Sequence, residues 1–172
     1  MDLVLLALRI VHIASGVMWV GGAALFFFYI EPAMNTLGPD AEKFVDEVIN
    51  RRKAPIYFVT VSTLVVLSGA VLYWRDSNGL QGSWITTPTG LALTFAGVAA
   101  LIAWLGGNLL IPRTLGRLTV IGAEMKAGGG PPSPELMARM HAVQERLRLI
   151  GLVDIALLTI AVVGMAVARY LV

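Results

Sequence analysis

The stretch PTGLALTFAGVAALIAWLGGNLLI, residues Pro88–Ile111, contains no charged side chain. A helix needs about 20 apolar residues to cross the hydrocarbon of a bilayer, and this stretch is long enough. Three more runs of the same kind follow from reading outward: Leu3–Ile30, Pro55–Trp74 and Leu149–Ala168. The reading is one all-α transmembrane domain over residues 1–172, a four-helix up-down bundle. Its long connections are 31–54 and 112–148.

The composition agrees. Of 172 residues, 57% are hydrophobic and only 14% charged, against about 25% charged in soluble domains. That excludes a disordered chain and a nucleic-acid module, and it argues against an ordinary soluble enzyme. A net charge of +2 gives no reason to expect a nucleic-acid partner. With no cysteine, the chain has no disulfide, thiolate metal site, c-type haem attachment or Cys nucleophile. The first run is no cleavable signal: Asp2 is acidic, and the run ends in Phe26-Phe27-Phe28-Tyr29.

Basic residues orient the bundle. Lys43, Arg51, Arg52, Lys53, Arg113, Arg117, Lys126, Arg139, Arg146 and Arg148 fall in the two long connections. Arg75, Arg169 and Arg9 belong to the other side. The expectation is a multi-pass protein of the bacterial inner membrane, with both termini outside and both connections cytoplasmic. Helical structure is expected within those connections. Pro39-Asp40-Ala41-Glu42 reads as one helix start, and Ser133 caps another with Pro134 in first position. That second helix has no breaker before Leu171, so it should run unbroken into the fourth span. The third should continue past Pro112.

Trp19-Val20-Gly21-Gly22 echoes Trp104-Leu105-Gly106-Gly107. This fits a parallel repeat of two helical hairpins. It also leads to the expectation that these Gly pairs lie at close helix contacts.

Three groups of residues carry chemistry. Arg9, His12, Gly16 and Trp19 share one helical face, with His12 near the outer hydrocarbon edge. Arg75 and Arg169 end their helices at that level. Imidazole is a common haem-iron ligand, and arginines pair propionates. Gly16 offers room for a flat ring, Trp19 an aromatic wall, and Met165 is a candidate second axial ligand. The competing reading is a histidine that bonds a neighbouring helix, with arginines that reach the head groups. In the second group, Met137, Met140 and His141 share a face at the start of the fourth helix and suit Cu(I), or else are plain packing. The third comprises Asp154, Asn108, Thr60 and Thr63, at one depth near the opposite boundary. It reads either as a proton or cation route or as an Asp154–Asn108 bond between helices. His12 and Asp154 lie in opposite leaflets, which argues against a Ser/His/Asp hydrolase.

The run His12-Ile13-Ala14-Ser15-Gly16-Val17-Met18-Trp19-Val20-Gly21-Gly22 resembles the first helix of a broad bacterial group. It includes CopD-type copper-resistance membrane domains and small four-helix proteins. Pro32 and the Arg51-Arg52-Lys53-Ala54-Pro55 run also look like the small members. A more distant likeness is to the bacterial membrane protoporphyrinogen oxidase, but the third run lacks that pattern's Lys or His. The resemblance implies haem or metal binding at His12. The leading expectation is therefore a b-type haem protein, for electron transfer or as an accessory subunit beside respiratory partners. The alternatives are a copper-handling protein and a structural subunit without cofactor. Partners are the lipid bilayer, other membrane subunits and further copies of the chain.

Overall fold

The computed structural model describes residues 2–37 and 41–171. Among these it is all-helical, with no strand. Four helices are long and apolar enough to cross a membrane: α1 Leu3–Leu37, α3 Ala54–Asp76, α5 Pro88–Ala127 and α6 Pro134–Ala168. Two shorter helices connect them, α2 Glu42–Asp46 and α4 Gly82–Ile85. The expected helix start at Pro39-Asp40 lies outside the described residues.

The helix starts follow the sequence chemistry. Asp2 accepts from the N–H groups of Val4 and Leu5 at 3.0 and 3.2 Å. Thr87 caps α5 through the Gly90 N–H at 3.0 Å, with Pro88 next in line. Ser133 caps α6 through the Leu136 N–H at 3.2 Å, and α6 runs unbroken for 35 residues, as expected.

The prolines do not end their helices. α1 continues through Pro32 and α5 through Pro112. Each proline is preceded by a wide π turn, Phe26–Ile30 or Gly106–Leu110. The residue just before each proline, Glu31 or Ile111, bonds five residues back to Phe26 or Gly106. A π turn shifts the hydrogen-bond ladder by one residue, which lets a residue without an N–H sit in the helix. Hence α1 passes well beyond Ile30.

α1 pairs with α3 and α5 with α6, and the two hairpins meet through α3 and α5. The centre holds one contribution from each long helix or more: Trp19, Val61, Val65, Ala103 and Leu158. Along α5 the buried residues are mostly alanines, Ala96, Ala99, Ala100 and Ala103. They face Leu158, Ala161 and Gly164 of α6. A Cβ on Gly164 would lie 3.0 Å from that of Ala96. Small residues let helices approach where lipid supplies no hydrophobic drive of its own. The outward faces are apolar too, with mid-helix Ile13, Val17, Leu67 and Phe95 60–69% exposed. Helices apolar on both faces suit a lipid surround.

One expectation about packing is corrected. A side chain at Gly21, Gly106 or Gly107 would meet nothing within 4 Å. Of the two Trp-x-Gly-Gly stretches only Gly22 makes a close approach, with Phe58 at 3.2 Å. The other close glycines are Gly69, Gly90, Gly151 and Gly164. The reason is rotational phase: where both faces are apolar, the pattern does not say which glycine faces inward.

Candidate cofactor site

His12, Ser15 and Trp19 form one stripe of α1 that faces α3. Ser15 and Trp19 are buried and His12 is half-buried. About 10 Å along the helix axis separates His12 from Trp19, so the histidine lies between the bundle centre and the chain termini.

Opposite it, α3 presents Val65, Ser68 and Gly69. His12 Nδ1 lies 3.0 Å from the Val65 carbonyl oxygen and 3.2 Å from Ser68 Oγ. A carbonyl can only accept, so Nδ1 carries the proton and donates to it. Ser68 Oγ in turn donates to the carbonyls of Leu64 at 2.5 Å and Val65 at 3.2 Å. Gly69 makes room for the ring. A Cβ there would lie 2.8 Å from His12 Cε1 and 3.2 Å from Nδ1.

This arrangement selects one tautomer. In the neutral imidazole the lone pair then resides on Nε2, which makes no hydrogen bond among the described residues. A backbone carbonyl on Nδ1–H is also what orients a metal-ligating imidazole. The donor set therefore fits one axial ligand.

The arginines are disposed unequally. Arg75 Nη2 lies 2.8 Å from Asp2 Oδ2, tying the end of α3 to the cap of α1. Arg169 stacks on Tyr170 with its guanidinium carbon 4.6 Å from the ring centre, and it also donates to the Tyr170 hydroxyl. Arg9 is exposed and has no polar partner among the described residues. Of the three, Arg9 is the one without a prior engagement. Gly16 faces Val65, whose Cγ2 is 4.0 Å from a Cβ built there. Trp19 is 5% exposed and fills the bundle centre. Met165 is half-buried.

At the start of α6, Met137 and Met140 are half-buried and His141 is exposed. Among the described residues no group of three His, Cys, Asp or Glu side chains is gathered to hold a metal ion.

The intramembrane polar residues are linked differently from expectation. Asn108 Nδ2 donates to the Trp104 carbonyl at 2.8 Å and to Ser62 Oγ at 3.4 Å. Trp104 Nε1 donates to Thr63 Oγ1 at 3.2 Å. These two bonds join α5 to α3. Thr60 is exposed and donates to its own helix at Ile56. Asp154 is buried in α6, and its Oδ1 has no hydrogen-bond partner among the described residues. The Asp154–Asn108 bond is thus absent among the described contacts. Sequence reasoning missed Ser62, Ser68 and Gly69, though a Ser-Gly pair inside an apolar run is a legible sign of a polar, close approach.

Comparison of the chain with protein-family models, with curated proteins and with solved structures returned no match.

Proposed function

We propose that the chain is a multi-pass protein of a bacterial inner membrane that binds haem b through His12 Nε2. The observation that supports this most is the Nδ1–H bond to the Val65 carbonyl, which leaves Nε2 as the lone-pair nitrogen. In this reading α3 acts as a backstop. Val65 and Ser68 hold the ring in one tautomer, and Gly69 lets it lie against the helix. Arg9, one turn away, supplies positive charge for a propionate. Haem would supply one-electron chemistry. The protein would serve electron transfer or act as an accessory subunit beside respiratory partners. The ten basic residues of the two long connections support a cytoplasmic side for those connections, and with it a position for His12 in the outer half of the bilayer.

The test is the visible spectrum of the purified protein and its variants. A Soret band is expected, lost or converted to an unligated form in His12→Ala and unchanged in His141→Ala. Arg9→Ala should weaken haem retention without altering the band type. A wild-type spectrum from His12→Ala would refute the assignment. A colourless protein that binds Cu(I) would favour copper handling instead.

A further inference from the structure

Beyond Pro112, α5 and the first half of α6 continue as a pair past the apolar spans. Between them lies an open groove of about 520 Å³. Arg113, Arg117 and Arg139 line it, with Val120, Ile121 and Val143 as apolar walls. Arg113 and Arg117 are four residues apart, so both project from one face of α5. Gly116 lies between them, and a side chain there would meet nothing within 4 Å, which keeps the groove open.

Two of the three charges are uncompensated. Arg113 and Arg117 make no hydrogen bond or ion pair among the described residues. Arg139 Nη1 holds Glu124 Oε2 at 2.9 Å, but both side chains are about half exposed. A guanidinium has five N–H donors, so Arg139 can still donate into the groove. Two like charges at this spacing oppose helix formation unless an anion sits between them.

Depth decides which anion. Arg113 lies about 3 Å, and Arg117 about 9 Å, past Ile111, the last apolar residue before Pro112. Arg113 therefore lies within the lipid head-group layer, which adds about 5–7 Å to each side of the hydrocarbon, and Arg117 lies at its outer edge. On α6, Arg146 and Arg148 fall just before the last apolar run, at a similar level. Arg113 and Arg117 occupy the end of the groove nearest the spans, whereas Arg139, bonded to Glu124, stands at the far end beyond Val120 and Ile121.

We infer that this groove seats the head group of an anionic phospholipid from the adjoining leaflet, its phosphate held by Arg113 and Arg117. Planar guanidinium groups bind phosphate oxygens in pairs, and basic grooves at the ends of membrane helices suit anionic head groups. The inference rests on the reading of α5 and α6 as membrane spans and is independent of haem.

The experiment measures thermal protection of the full-length protein in a neutral detergent. The additions are phosphatidylglycerol, phosphatidylcholine or inorganic phosphate at equal phosphate concentration. Phosphatidylglycerol alone should protect. Its apparent affinity should fall roughly fivefold for each of Arg113→Gln and Arg117→Gln. Arg52→Gln, which removes a basic residue paired with Glu47, should have no effect. If one of these variants fails to fold, the other reads the same quantity. Equal protection by phosphatidylcholine, equal protection by inorganic phosphate, or unchanged affinity in the variants would each overturn the site. A chain that stays soluble and monodisperse without detergent would instead refute the membrane reading beneath it.

Discussion

Replacing Gly69 by Ala tests the seat of the histidine directly. The new Cβ would stand 2.8 Å from His12 Cε1, closer than van der Waals contact permits. Helix α3 cannot yield without disturbing Val65, which belongs to the bundle centre, so the ring must swing away. That breaks the Nδ1–Val65 bond, worth about 0.5–1.5 kcal/mol. It also adds an overpacking cost of about 1–3 kcal/mol. The gain in helix propensity, about 1 kcal/mol, offsets part of this. The net loss is about 1–3 kcal/mol, a fall in Tm of roughly 2–12 °C for a chain of this size. Thermal unfolding in detergent measures it, and a double-mutant cycle isolates the cause. In a His12→Ala background the clash is gone, so Gly69→Ala should be neutral or stabilising. Gly21→Ala, which meets open space, should behave that way in both backgrounds. An equal loss from Gly69→Ala with and without His12 would refute the seat.

Asp154→Leu should raise the Tm. It removes a buried oxygen with no partner, whose burial costs about 1–3 kcal/mol; a lowered Tm would mean that the carboxyl has a partner. The N–H groups of Leu5 and Val4, with the Arg75 guanidinium, hold the Asp2 carboxyl below the ordinary aspartate value despite some desolvation. Its contribution to stability is therefore present above that value, about 3.9, and is lost as pH falls through the lower folded value. The Tm difference between wild type and Asp2→Ala should shrink on acidification below about pH 4; a constant difference would exclude the cap as its source. For orientation, cysteines at Gln81 and Ala138 should differ in whole cells. Only Gln81→Cys should react with an impermeant thiol reagent, and the reverse would invert the topology.

The spans and caps were legible because they depend on short, local signals: uncharged length, Ser133 before Pro134, Asp2 before an apolar run. Helix ends were less so. The continuation of α5 past Pro112 was expected, but Pro32 marks an end in an ordinary helix, and here the π turn before it keeps α1 going. The candidate site was half legible. His12 could be placed on the stripe with Trp19 by spacing alone. Its partners Val65, Ser68 and Gly69 could not, because the register of α3 against α1 depends on the whole connection through residues 31–53. The intended aromatic wall shows the same limit. Trp19 shares a face with His12, yet that face is where four helices converge, so the indole packs the core.

Most hydroxyls in the bundle close onto their own helix. Ser62 bonds Val59, Thr94 bonds Gly90, Thr114 bonds Leu110 and Thr159 bonds Ile155. In an apolar surround this local return is the least costly way to bury a hydroxyl. Against that background His12, like Tyr57, Trp104 and Asn108, reaches across to another helix, but only one of its two nitrogens is satisfied there. A histidine serving only to join α1 to α3 needs nothing on Nε2, and a shorter polar side chain could make the Nδ1 contact at lower cost. Asp154 is a further exception, with one carboxyl oxygen that has no partner among the described residues. The contrast separates the two. Asp154 lacks a neighbour to orient it, whereas His12 is already held in the tautomer and plane that a ligand on Nε2 requires.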